Sequence, residues 1–453
     1  MKQYDLIIIG TGSAMNIVDP MIQESPNIRI AVIDKDEPGG ICLTRGCIPS
    51  KILLYPAELV RTIEKARDLG VDAKIASINF QMVMERMRTL INNDIDQIRE
   101  GLSSSKNIDY YHAPAEFVSP YTMRVDGTEI SSKVIFLCIG SKINVPPIKG
   151  LDKIKYHTSD TVLKLTKLPE SIATIGGGYI AAEYGHFFSS MGSKVTIIGR
   201  NPQFVPEEEP EVSALAKKEL EQHITILTNQ EVKEVREIGD RKELVAVDRK
   251  SGKNTIITAK EIMVATGRGP ITDILHPEKA GIKLTKEGWI EVNEYLETSQ
   301  PNIWALGDAD GKYPFKHVAN YESKIVYYNA SVGLGEKEAI GKLGQDKVLI
   351  GFQKYEDTAK GEAMNVKDYF VKVIVEAETT RILGAHIIGP YASILIHEII
   401  PLMYAGNGSY EPISDSIHIH PALSEVVDRA FQSLVPVEHY QHMKQHAHEL
   451  VAA

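Results

Sequence analysis

The chain has 453 residues, 43% hydrophobic and 24% charged, a balance that fits about three domains with packed cores. A net charge of −10 without a basic run excludes nucleic acid as an expected partner. No apolar stretch approaches the ~20 residues of a membrane span, and a strand-like run begins too soon after Met1 for a signal peptide, so no membrane and a cytoplasmic location are expected.

Residues 4–9 form a buried-strand pattern, and Gly10 and Gly12 follow it. A second apolar strand, Ile30 to Ile33, ends in Asp34 at about the spacing of a Rossmann unit. Gly10 would make the tight turn, Gly12 would admit a pyrophosphate, and Asp34 would hold ribose hydroxyls. Met15 departs from the usual Gly or Ala, and Pro20 is expected to shorten or kink the following helix.

Next comes the most informative stretch, residues 42–51, with Cys42 and Cys47 separated by four residues in a chain of three cysteines. A redox disulfide needs two sulfurs able to close a bond and one held as a thiolate. Lys51, one helical turn beyond Cys47, would lower its pKa. The competing reading is two reduced cysteines used as small apolar fillers. Zinc would want about four ligands; none cluster nearby, so no metal is expected. Residues 56–105 carry helical periodicity. Cys138 reads as a core residue in a strand from Val134.

A second unit is cleaner. Residues 172–175 read as a strand, and Gly176, Gly178 and Ala181 complete a G-x-G-x-x-A that opens a helix through Glu183. The next strand, Val195 to Ile198, ends in Gly199-Arg200. Without an acid there, and with a cation beside it, the pocket suits a 2′-phosphate, so NADPH is favoured over NADH. The alternative is that Arg200 is an ordinary surface arginine and either cofactor serves. Two such units imply two dinucleotides, one resident and one exchanging. Residues 301–308 read as a short strand that places Asp308 on a polyol chain, or as a plain strand and turn. Residues 366–388 alternate as an antiparallel sheet. His439, His442, His446 and His448 read as a polar helix face.

These blocks, with Ala265 to Arg268 and His418 to Glu425 in the same order, resemble the FAD-dependent pyridine nucleotide–disulfide oxidoreductases over nearly the whole length. Within that family they look most similar to mycothione reductase and to archaeal proteins called dihydrolipoamide dehydrogenase. A vicinal C-terminal cysteine pair, expected of a mercuric reductase, is not in the sequence given. The resemblance implies an α/β fold, with two Rossmann-like dinucleotide-binding domains and an α+β C-terminal interface domain. The FAD domain would be 1–148 and 267–330, the NAD(P) domain 149–266, and the interface domain 331–453. Gly10, Gly12, Asp34, Gly40, Gly140 and Asp308 would hold FAD. Gly176, Gly178, Tyr179, Arg200 and Gly267 would hold the nicotinamide nucleotide.

The resemblance also implies the roles. Cys47 would lie next to the flavin, and Cys42 would attack a small dithiol or disulfide substrate. Lys51 and Glu183 would tune flavin reduction. His420, oriented by Glu425, would handle the thiol proton in the other subunit of a homodimer. Tyr179 would cover the flavin, or simply pack. One region departs from the family: ten residues separate Asn320 from Ser331, and the usual opening strand of the interface domain is not recognisable. The expected activity is dihydrolipoyl dehydrogenase-like, with an NADPH-dependent mycothione-type reductase as the alternative. A catalytically degenerate flavin- or nucleotide-binding homologue and a flavin oxidase are the readings from other classes.

Overall fold

A computed structural model describes residues 2–293, 295–312, 319, 322 and 336–443. The connection from Asn320 to Ser331, Glu322 apart, and His446 and His448 of the tail, lie outside them. The chain packs as two compact units, Met1–Val205 with Leu220–Ala330, and Pro206–Glu219 with Ser331–Ala453. Pro206–Glu219, within the span expected for the second dinucleotide domain, thus belongs to the second unit.

The first unit holds two parallel sheets of doubly wound type. In one, the strands run in the order Ile303–Ala305, Ile135–Leu137, Leu6–Ile9, Ile30–Ile33, Ile108–Tyr111, all parallel. Every residue of Leu6–Ile9 and Ile30–Ile33 is buried, which is why these strands read as unbroken apolar runs rather than as alternation. Strand order reverses between Leu6–Ile9 and Ile135–Leu137, and a ligand crevice lies at the carboxyl ends of such a switch. Gly10 follows the first of these strands and Cys138 the second.

The other sheet repeats the plan, with order Thr225–Leu227, Lys194–Ile198, Ser171–Ile175, Glu261–Val264. Its switch point lies beside Gly176 and Ala265. Helix Tyr179–Met191 buries Phe187, Phe188 and Met191. An antiparallel meander, Gln230–Ile238, Arg241–Asp248 and Asn254–Ala259, joins this sheet to its last strand.

The predicted helices after the cysteines are Cys47–Lys65 and Phe80–Ser104. Met15 opens helix Met15–Glu24 and packs, half-buried, on the core of the first sheet, while Pro20 lies inside that helix, which ends at Glu24. No helix among the described residues is long and apolar enough to cross a membrane.

The second unit is built on an antiparallel sheet ordered Ile382–Ile388, Phe370–Glu376, Val348–Lys354, Val435–Pro436. Val371, Val373 and Val375 pack with residues of helices Ala392–Tyr404 and Ser424–Gln432. Ile374 faces Ala339 and Tyr440 instead. The sheet is therefore covered on both faces. Lys372 shares the second face and is wholly buried, 2.8 Å from Glu209 and 2.7 Å from Glu336.

Candidate active site

The cysteine turn is made of two helices that meet at Gly46. Gly40–Arg45 ends there, and Cys47–Lys65 begins. Cys47 is thus the first residue of a long helix, where unpaired N–H groups and the macrodipole favour a thiolate. Both sulfurs are thiols rather than a disulfide here, and both are half-buried. A hydrogen bond with Cys42 holds the Cys47 thiol above its ordinary value; burial and the Cys42 charge add to this, while its own backbone and Lys51 pull it down. Two sulfurs this close do not ionise together. At most one of the two carries charge, which suits an attacking thiol with a resolving partner.

Lys51 pairs with Glu183 of helix Tyr179–Met191. Tyr179 opens that helix and is 41% exposed. Burial pushes its phenol up, Arg268 opposes this, and Asp308, Glu183 and Cys47 add to it. Lys51 and Glu183, expected from two separate motifs, are therefore brought together. Arg268 was only one letter of a motif in sequence. In the structure its Nε donates to Ser141 Oγ at 2.6 Å and its Nη2 to Ser141 O at 2.7 Å. The Ser141 hydroxyl in turn donates to Asp308.

The two glycine loops are built alike. At Gly10, with φ +103°, a Cβ would lie 2.1 Å from Cys138 O; at Gly176, with φ +126°, it would lie 2.0 Å from Ala265 O. Only glycine fits either position. Gly12 and Gly40 meet backbone to backbone, since a Cβ on Gly40 would come within 2.6 Å of the Gly12 Cα. Gly140 lies against Ile41 of the cysteine helix, and Gly178 and Gly267 face open space. Glycines packed this closely at the strand ends let the backbone approach a dinucleotide pyrophosphate, and Gly10, Gly12, Gly40 and Gly140 are residues that could hold FAD there.

Asp34 is more committed than its sequence position implies. Its Oδ2 accepts from Thr11 N at 2.8 Å and Thr11 Oγ1 at 2.6 Å, and its Oδ1 accepts from Asp36 N at 3.0 Å. With about four acceptor directions on a carboxylate, one is left for a ribose hydroxyl.

Arg200 has basic company that the sequence did not disclose. Arg249 Nη1 donates to Arg200 O at 3.1 Å. Pro202, Asn229, Arg249 and Lys250 line an open groove of about 560 Å³. Arg249 and Lys250 come from the turn between two strands of the meander, some fifty residues away in sequence.

His420 and Glu425 belong to the second unit. His420 Nδ1 is 2.7 Å from Glu425 Oε1, and Glu425 Oε2 accepts from Ala422 N at 3.1 Å. The His420 hydrogen bond holds the Glu425 carboxyl below its ordinary range despite burial. Nδ1 is taken by the carboxylate, so Nε2 is the nitrogen left for a mobile proton. His420 is 66% exposed, whereas His418 is 16% exposed with Nδ1 4.0 Å from Asp428. His420 is thus the more open of the two and the nearer to its carboxylate. His439 and His442 are described; no group of three or more His, Cys, Asp or Glu able to hold a metal occurs among the described residues.

Residues 4–323 match the family model described as pyridine nucleotide-disulphide oxidoreductase, and 326–431 match the dimerisation domain of the same family. The chain belongs to this family. Among its pyridine nucleotide-disulphide oxidoreductase relatives, mycothione reductase from Mycobacterium tuberculosis strain H37Rv is 34% identical, over 96% of this chain and 100% of the relative. Dihydrolipoyl dehydrogenase from Bacillus subtilis strain 168 is 30% identical, over 94% of this chain and 97% of the relative. The solved structure of the HOCl-induced flavoprotein disulfide reductase RclA from Escherichia coli superposes with a TM-score of 0.81 at 26% identity, covering 95% of this chain and 99% of that one. As a member of the family, the protein is an FAD-dependent oxidoreductase of the flavoprotein disulfide reductase fold that binds a pyridine nucleotide.

Proposed function

We propose that the protein uses NADPH to reduce a small disulfide through Cys42 and Cys47, as a homodimer in which His420 and Glu425 serve the partner's dithiol. The observation that carries this reading is the ion pair that joins Lys51, one turn beyond Cys47 on the cysteine helix, to Glu183 of the helix after the second glycine loop. On this reading residues 1–148 and 267–330 hold FAD, 149–266 hold the nicotinamide nucleotide and 331–453 make the dimer. A cytoplasmic location goes with a dithiol that must cycle.

Bound FAD supplies two-electron chemistry between the nicotinamide and the disulfide. The protein's residues do the rest. Lys51 and Glu183 form a fixed charge pair beside Tyr179, which covers the site until the nucleotide arrives. The reduced Cys42 thiolate attacks one sulfur of the substrate disulfide, forming a mixed disulfide and expelling one thiolate, which takes a proton from His420 Nε2. Cys47 then attacks the Cys42 sulfur, the Cys42–Cys47 bond forms, and the second substrate thiolate leaves and is protonated. The sum is one disulfide plus two electrons and two protons giving two thiols.

NADPH is favoured because Arg200, Arg249 and Lys250 gather at the end of a strand that lacks an acid. The 34% identical mycothione reductase supports a low-molecular-weight disulfide as substrate. A second reading is oxidation of a dihydrolipoyl-type dithiol. It is favoured by Ile417 and Ile419, 99% and 77% exposed beside His420, which would suit an aliphatic arm. Steady-state assays of NADPH and NADH against lipoamide and a panel of cellular disulfides test both. The first reading expects a KM for NADPH at least tenfold below that for NADH, and faster turnover with a polar disulfide than with lipoamide. NADH preference with lipoamide turnover would select the second. No disulfide turnover, with oxygen consumed instead, would sink both.

A further inference from the structure

The residue just before the break at Gly46 is Arg45, and none of the roles above uses it. Its side chain is 25% exposed, and all three guanidinium nitrogens have acceptors. Nη2 lies 2.7 Å from Asp36 Oδ2, Nε lies 3.3 Å from Asp160 Oδ2, and Nη1 donates to Thr44 Oγ1 at 3.2 Å. Thr44 Oγ1 in turn donates to Gly40 O at 2.9 Å, closing the short helix on itself.

Each carboxylate is anchored elsewhere. Asp36 N donates to Asp34 Oδ1 at 3.0 Å, and Asp34 is held by Thr11 of the first glycine loop. Asp160 lies in the connector between the two parallel sheets. Ser159 Oγ donates to Asp160 Oδ1 at 3.1 Å, and the Tyr184 hydroxyl donates to Ser159 O at 3.4 Å. Tyr184 neighbours Glu183 on the same helix. The cysteine turn is therefore tied to that helix twice, by Lys51 to Glu183 beyond Cys47 and by Arg45 to Asp160 before it.

An arginine gripping two carboxylates from different segments has a fork geometry that lysine cannot reproduce. We propose that Arg45 is a positioning residue for the redox pair: it holds the Cys42 helix at the angle that lets the Cys42 sulfur meet Cys47 and re-form the bond. This rests on the disulfide chemistry proposed above. It predicts a split between the half-reactions, because the residues that face the nucleotide are not touched by Arg45. The disulfide and its closure depend on the clamp; electron entry does not.

The test is an equilibrium measurement that needs no turnover. Holoenzyme is held in glutathione buffers of graded poise, and the fraction of Cys42–Cys47 disulfide is read by alkylation and mass spectrometry. The exchange balances as protein dithiol plus glutathione disulfide giving protein disulfide plus two glutathione thiols. Arg45→Met is expected to lower that equilibrium constant at least tenfold, and Asp160→Asn and Arg45→Lys to lower it two- to fivefold. Flavin reduction by NADPH in stopped flow should stay within twofold of the parent. An unchanged constant in Arg45→Met, or flavin reduction falling in step with it, overturns the assignment. If Arg45→Met does not fold, Asp160→Asn and Arg45→Lys decide on the same readings. A parent whose cysteines equilibrate with glutathione but are never reduced by NADPH would sink the proposed function and leave Arg45 judged on the glutathione titration alone.

Discussion

Glu425→Gln removes the charge behind His420 while keeping the side chain's shape. The carboxylate accepts two bonds, from His420 Nδ1 at 2.7 Å and from Ala422 N at 3.1 Å. A glutamine offers one oxygen and one NH₂ group, so one of those two donors loses its acceptor. A hydrogen bond to a charged group is worth about 1.5–3 kcal/mol. At ~1.36 kcal/mol per decade, the thiol-side step should slow by roughly 10- to 150-fold. The assay is stopped-flow reoxidation of NADPH-reduced enzyme by the disulfide substrate, run beside flavin reduction by NADPH. Only the first should slow. Because Glu425 acts through His420, the double variant with His420→Gln should be no slower than His420→Gln alone. The pH dependence follows from the depressed carboxyl. Its charge is present above the ordinary value of 4.5 and is lost only as pH falls through the lower folded value, so the acid limb of activity attributable to Glu425 should lie below pH 4.5. Reoxidation within threefold of the parent, or additive losses in the double variant, would refute this reasoning.

Three further outcomes are expected. Lys372→Met leaves Glu209, Glu336 and Glu211 facing one another beside His386 and Tyr440 without their cation, and should destabilise the second unit by about 3–5 kcal/mol; hydrogen exchange of strand Phe370–Glu376 reads this, and the deficit should shrink as acid protonates the carboxylates. Gly176→Ala puts a methyl 2.0 Å from Ala265 O, so nicotinamide nucleotide binding measured by calorimetry should weaken more than tenfold while the protein stays yellow. Lys51→Met breaks the pair with Glu183 and should slow flavin reduction by NADPH at least tenfold; because Lys51 also pulls the Cys47 thiol down, the glutathione equilibrium of the cysteines should move towards the disulfide.

Features set by local backbone physics were legible in sequence. Gly10 and Gly176 could be read because a tight turn after a buried strand admits only glycine. That Cys42 and Cys47 lie within reach of each other could be read from spacing, and the His420–Glu425 contact from the carboxylate five residues on. What escaped depends on folding at long range. Arg249 and Lys250 reach Arg200 only because the meander folds back, and Arg45 carried no reading in sequence because Asp36 and Asp160 come to it only in the fold. Lys372 sits in an apolar strand where a lone lysine reads as a solvent-facing position, yet the sheet is covered on both faces. The strand Val348–Lys354 was likewise unread, because the expected opening strand was sought next to the short connection at Asn320.

The most direct test of the account is anaerobic titration of purified protein with NADPH, followed by absorbance, for the parent and Cys47→Ser. A disulfide that exchanges electrons with the flavin adds one two-electron acceptor. The parent should therefore take up roughly two equivalents before full bleaching, with a long-wavelength thiolate–flavin band after the first, and Cys47→Ser roughly one equivalent with no band. Equal uptake by the two proteins, with no band in either, would contradict the account.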